Sequence, residues 1–148
     1  MKGNLHQANI EDVKIISETF DLYRIFYKQN SDLSGANQYI ENRLKNNESI
    51  IFFIKIDNKC AGFTQLYPTF DSVRLGKKIV LYDLFVCEKF RRQGIGKKLM
   101  NAAKSYAKLK HFGSIELSTA KTNLPGQSLY ESLGYIRDDE FYSYDLEI

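Results

Sequence analysis

"IVLYDLFVCEKFRRQGIGKKLM", residues 79–100, decides how the chain is read. Residues 79–87 are almost all apolar, the pattern of a central strand buried on both faces. A short polar turn follows. Two arginines stand before Gly94 and Gly96 and two lysines after them, and a helical spacing then begins, with Ile95, Leu99, Ala102, Ala103 and Tyr106 on one face. A helix starting near Ile95 presents unpaired backbone N–H groups whose dipoles favour negative charge. Gly94 and Gly96 let a ligand approach the main chain, and Arg91, Arg92 and Lys97 add positive charge. A diphosphate fits such a nest. On spacing alone, a tight strand-to-helix turn with solvated lysines is the alternative. A nucleotide-phosphate loop is disfavoured, because the third glycine of the dinucleotide fingerprint and the Gly-Lys-Ser/Thr of a P-loop are both missing.

Around this stretch the pattern is that of one domain, residues 1–148. Apolar residues make up 43% of the chain and aromatics 14%, enough for a proper core. The 21 basic and 18 acidic residues leave a net charge of only +3, which does not suggest nucleic acid. The basic residues that stand out, Lys77, Lys78, Arg91, Arg92, Lys97 and Lys98, flank one strand and one loop, which suits a small anion. No apolar run reaches the roughly 18 residues of a membrane span. No Cys/His spacing suggests a metal. Cys60 and Cys87 read as buried, reduced thiols and, with no signal sequence read, as those of a cytoplasmic protein.

The remaining elements follow from periodicity. Residues 4–10 read as a first strand. A helix opens at Glu11 and Asp12 and carries Val13, Ile16, Phe20, Tyr23 and Tyr27, and "NSDLSG" breaks it. Residues 36–47 form a second helix. Residues 49–56 and 60–70 make a hairpin, and 71–78 a polar connection. After the glycine loop come a helix to about residue 110, a strand at 114–119, and a helix capped by Asn123, with Pro125 in its first turn and Gly134 as its stop. Residues 135–139 and 141–148 read as two final strands, the last alternating cleanly. The whole is an α+β domain, a mixed and mostly antiparallel sheet of about seven strands with four helices on its faces.

One residue breaks the pattern. Asp83 interrupts the central strand, where an unpaired carboxylate costs several kcal/mol. It is either a base or anchor for a substrate ammonium, or a structural partner of a nearby donor. Strict alternation puts Tyr82 on the opposite face.

Residues 83–100 resemble the acyl-CoA signature of the GCN5-related N-acetyltransferase (GNAT) family: a strand ending in hydrophobic-x-Val, then Arg/Gln-x-x-Gly-x-Gly/Ala, matched by Arg91–Gly96. "NLPGQSLYESLGY" resembles the family's downstream block through Asn123, Tyr130, Gly134 and Tyr135. "LYRIFYKQ", "YIENRLKNNESIIFF" and "LYDLFV" carry a diffuse likeness to its polyamine and small-amine acetyltransferases.

The resemblance implies acetyl-CoA as the acetyl donor, lying between parallel strands 79–87 and 114–119. The diphosphate would rest on Arg91, Arg92, Gln93, Gly94, Ile95, Gly96 and Lys97. The backbone of Leu84, Phe85 and Val86 would pair with the pantetheine arm, the Val86 amide serving as oxyanion donor. Asn123 would touch the same arm, and Tyr130 would protonate the departing thiolate. Tyr23, Tyr27, Tyr67, Asp71 and Asp83 are the acceptor-site candidates. A base or ordered water is expected too, since a lysine-like amine is neutral only ~0.04% of the time at pH 7, an offset of roughly 4.6 kcal/mol. The implied reaction is direct attack of a primary amine of a small molecule (polyamine, diamine or amino acid) on the thioester. The alternatives are a protein N-terminus or lysine as acceptor, or a CoA-binding regulatory module without turnover. A homodimer paired through the C-terminal strand is also implied, with no metal, nucleic acid or membrane partner.

Overall fold

The computed structural model describes residues 3–148. The chain divides into two compact units, one ending at Ser118 and the other formed by residues 119–148. The first unit holds a sheet of β1 (Asn4–Gln7), β2 (Ile50–Ile56), β3 (Lys59–Asp71), β4 (Gly76–Val86) and β5 (Ile115–Glu116), side by side in that order. Neighbours are antiparallel from β1 to β4, and β4 and β5 run parallel. Helices α1 (Val13–Phe26) and α2 (Leu33–Lys45) lie between β1 and β2, and α3 (Ile95–Leu109) between β4 and β5. The second unit contains α4 (Leu124–Ser132). The α+β class, the mixed sheet and the four helices are as the sequence implies. Among the described residues, no helix is long and apolar enough to cross a membrane.

The centre of the sheet is covered on both sides. In β2, Ile51 and Phe53 pack with Val13, Ile16 and Phe20 of α1 and Ala36 and Ile40 of α2. The alternate residues Phe52 and Ile54 are buried as well, and α3 contacts β2, β3 and β4. The Phe52 and Tyr106 rings meet edge to face at 5.9 Å. Tertiary packing of this kind, rather than helix propensity, holds a 15-residue helix such as α3 in place.

Local chemistry moved some boundaries. Asp32 accepts from the Gly35 amide at 2.9 Å and caps α2, so the helix begins inside the stretch read as a break. Asp21 binds Ser31 Oγ at 2.6 Å and the Asp32 amide at 2.9 Å, and so fixes the turn between α1 and α2. Much of 71–78 belongs to the arms of the β3–β4 hairpin, which pair as far as Asp71 and Gly76.

The larger corrections concern the end of the chain. The sheet has five strands, not about seven. The expected strand at 114–119 keeps only Ile115 and Glu116, at the sheet edge, and the strands at 135–139 and 141–148 do not form. Alternation stabilises a strand only when a partner ladder is present and one face is covered. Here Phe141 is 79% exposed and Tyr142 90%, so neither parity of the tail is covered.

Candidate active site

A short 3-10 turn, Glu88–Phe90, carries the chain from β4 to the glycine loop. Arg92 (φ 60) and Gly94 (φ 78) both take left-handed backbone, which turns successive amides toward one concavity. Among the described residues, no acceptor takes the main-chain N–H of Arg92, Gln93, Gly94, Ile95, Gly96 or Lys97. The first internal bond runs from the Lys98 amide to Gly94 O at 3.1 Å. A Cβ added at Gly94 would meet nothing within 4 Å, so the space beside it is open. Arg91 Nε donates to Val86 O at 2.8 Å, and its guanidinium stands 5.6 Å from the Phe85 ring centre and 5.9 Å from that of Phe26.

Among the described residues, the end of β4 has no strand partner along one edge. β5 pairs only with Ile79 and Val80, and no other described strand flanks β4 beyond them on that side. The Cys87 amide bonds Ala61 O at 2.9 Å, which makes that pair hydrogen-bonded. Antiparallel alternation then turns the main-chain groups of Phe85 toward β3, and those of Leu84 and Val86 toward the open edge. The Arg91 bond to Val86 O is consistent with this. Gly62, opposite Val86, permits the close approach: a Cβ there would lie 2.8 Å from Phe85 O and 3.2 Å from an Ile95 methyl.

On the α1–α2 side, Asp83 is the floor of a second cluster. It is 4% exposed, and Gln65 Nε2 donates to its Oδ2 at 2.7 Å. Burial raises its pKa above the ordinary carboxylate range, while Gln65 and the Tyr23 phenol pull it back. Burial, and then the Asp83 charge, push the Tyr23 phenol far up. Tyr67 is also pushed up, first by burial and then by its bond to Tyr39, whose hydroxyl lies 2.7 Å away. Both phenols are therefore neutral donors near pH 7 and neither is a base. The Gln65 Oε1 atom is buried with no protein partner.

A β-bulge at Tyr82 breaks strict alternation, because Gln65 pairs with Asp83 and Leu66 with Leu81. The Tyr82 ring lies 5.7 Å from that of Tyr67, which also feels the Asp83 charge. Tyr82 and Asp83 thus both face Tyr67, contrary to the expectation of opposite sides. Tyr27 stands more exposed, its ring 5.0 Å from Tyr23. Asp71 lies at the hairpin tip, opposite Gly76 and beside Arg74. Gln65, Tyr39 and Gly62 escaped the sequence reading. Gln65 had a signal: a lone amide in an apolar strand, like Asp83 in the next one.

In the second unit, Asn123 Oδ1 accepts from the Gly126 amide at 3.1 Å and its Nδ2 donates to Thr119 Oγ1 at 2.9 Å, so it caps α4. Tyr130 lies on that helix, with its ring 6.2 Å from Tyr135. Gly134 (φ 91) follows the helix in left-handed backbone, as a stop residue does. Burial pushes the Cys60 thiol up to about 12 and also raises Cys87, the wrong direction for a nucleophile.

The family model described as the acetyltransferase (GNAT) family matches residues 16–135. An uncharacterised N-acetyltransferase of Bacillus subtilis, YhfO, is 41% identical over 145 residues, covering 98% of this chain and 97% of that protein. A crystal structure of a probable acetyltransferase, 35% identical, superposes with a TM-score of 0.92 over 98% of this chain and 97% of the other. The structure of a predicted acetyltransferase with acetyl-CoA from Clostridium acetobutylicum shares the fold at 17% identity, with a TM-score of 0.78 over 97% and 96% of the two chains. An open amide nest at the start of α3, beside a β4 edge that β5 abandons, sits within the matched span. The chain belongs to the GNAT family and is an N-acetyltransferase.

Proposed function

We propose that this enzyme moves the acetyl group of acetyl-CoA to a primary amine of a small molecule, by direct attack. The observation that carries the donor side is the run of unbonded N–H groups from Arg92 to Lys97, at the positive end of α3. Their number and their convergence on one concavity fit a diphosphate. When bound, acetyl-CoA supplies an acetyl group already activated as a thioester.

The chain's own groups then divide the work. The amides of Arg92, Gln93, Gly94, Ile95, Gly96 and Lys97, with the outer nitrogens of Arg91, hold the phosphates. Leu84 and Val86 offer main-chain groups to an extended pantetheine arm, as a sheet edge offers them to an added strand. The Phe85 main chain is turned to β3, so Phe85 contributes its ring. The Val86 N–H is the oxyanion donor, a contribution typically worth about 3 kcal/mol. We assign proton delivery to the thiolate to Tyr130, and contact with the arm to Asn123, on the family motif they match. Asp83 accepts the acceptor's proton or holds its ammonium, among Tyr23, Tyr27 and Tyr67. Its pKa, raised by burial, makes it a better proton acceptor than an ordinary carboxylate. Action in the cytoplasm as a homodimer, on a free small molecule and without metal or nucleic acid, belongs to the same reading.

The test is thiol release from fixed acetyl-CoA across amines, diamines, polyamines, amino acids and peptides. Release with free amines is expected. Release only with peptide N-termini or lysyl peptides moves the activity to proteins. Binding without release for any acceptor leaves a regulatory module.

A further inference from the structure

Resting on that reading, we infer that the site around Asp83 selects an acceptor with a single positive charge and an apolar or aromatic body, and disfavours polyamines. Among the described residues of the first unit, Asp83 is the one carboxylate in the cluster. Acids on the neighbouring elements are committed elsewhere: Asp21 to Arg24 at 3.2 Å, Glu41 to Lys45 at 3.2 Å, Glu48 to Arg43 at 3.2 Å and Asp71 to Arg74 at 3.9 Å. Glu18 falls on a different face of α1 from Tyr23 and Tyr27. Among the described residues of the first unit, a second ammonium finds no uncommitted carboxylate beside Asp83.

The other charged groups beside the cluster are guanidinium groups. Arg43 stands over the Tyr39 ring at 4.6 Å, next to Tyr67, and Arg91 stands 5.6 Å from the Phe85 ring. Arg43 is already paired with Glu48 and Arg91 is assigned to the phosphates, so neither guanidinium offers a second ammonium a partner. What lines it otherwise is aromatic: Tyr23 packs against Phe85 at 5.8 Å, and Tyr67 against Tyr82 at 5.7 Å. Ring faces around one carboxylate suit a lone ammonium on an apolar stem. The buried Gln65 Oε1, unpartnered beside Asp83, adds acceptor capacity for the N–H groups of a single cation and no second negative charge.

The experiment compares kcat/KM for phenethylamine, tyramine, putrescine and spermidine at saturating acetyl-CoA with the full-length enzyme. The aromatic monoamines should exceed spermidine by about tenfold or more, the factor given by ~1.4 kcal/mol. Tyr82→Ala, at a position 68% exposed and so dispensable for folding, should raise KM for phenethylamine several-fold and leave KM for acetyl-CoA alone. Spermidine or putrescine as the best acceptor would overturn this inference and leave small-amine transfer standing. Release with peptides alone would overturn both. An unchanged phenethylamine KM in Tyr82→Ala would remove the aromatic wall from the argument and with it the preference claimed here.

Discussion

Substitution at Gly94 separates the fold of the glycine loop from its binding role. Gly94 has left-handed backbone at φ 78, and a Cβ there would touch nothing within 4 Å. Gly94→Ala therefore carries only conformational strain, about 1 kcal/mol, and a Tm lower by roughly 2–4 °C for a chain of this size. Aspartate tolerates this conformation at least as well as alanine, so Gly94→Asp should be no less stable. What it adds is a carboxylate beside amides that have no acceptor of their own. A ligand bound only by the folded state at 100 times its Kd adds about 2.7 kcal/mol, which is roughly 5–11 °C in Tm. Thermal unfolding with and without acetyl-CoA reads this directly. Wild type and Gly94→Ala should both gain the shift, and Gly94→Asp should gain almost none. If a folded Gly94→Asp keeps the full shift, the phosphates lie elsewhere and the nest argument fails.

Other expectations follow from single contacts. Gly62→Ala forces a Cβ to 2.8 Å from Phe85 O and should lower unfolding free energy by about 1–3 kcal/mol in urea titration; an unchanged midpoint would show that β3 and β4 can part there. Tyr130→Phe should lower kcat by about 100-fold at unchanged acetyl-CoA affinity, and full turnover would remove it as the acid. The Ser31, Asp32 and Arg24 bonds to Asp21 hold its carboxyl below the usual carboxylate range. The stability it contributes is fully present above about pH 4 and is lost as pH falls through the lower folded value. Asp21→Asn should flatten the acid limb of the stability–pH curve, and an unaltered limb would contradict that linkage. Cys87, its thiol raised by burial, should react with iodoacetamide more slowly than a free thiol at pH 7.

How much the sequence showed depended on how local the cause was. The loop from Arg91 to Lys97 was legible because glycines, flanking charges and a helix start are all decided within a few residues. The double burial of β2 was legible because each of its residues reports on its own environment. Asp83 could be found as an anomaly, yet its partner Gln65 sits on another strand, and only the β3–β4 register brings the two to 2.7 Å. The bulge at Tyr82 is a property of a strand pair and leaves no mark on one strand's pattern. The tail failed for the same reason in reverse: residues 141–148 alternate as a strand does, but alternation states what a segment could bury and not whether a partner is there.

The most direct test of the central claim is a crystal structure of the enzyme with acetyl-CoA. It should place the diphosphate oxygens within about 2.7–3.2 Å of main-chain nitrogens between Arg92 and Lys97, with the thioester beside Val86. A diphosphate seated elsewhere, with those amides bonded inside the protein or to water alone, would contradict the account.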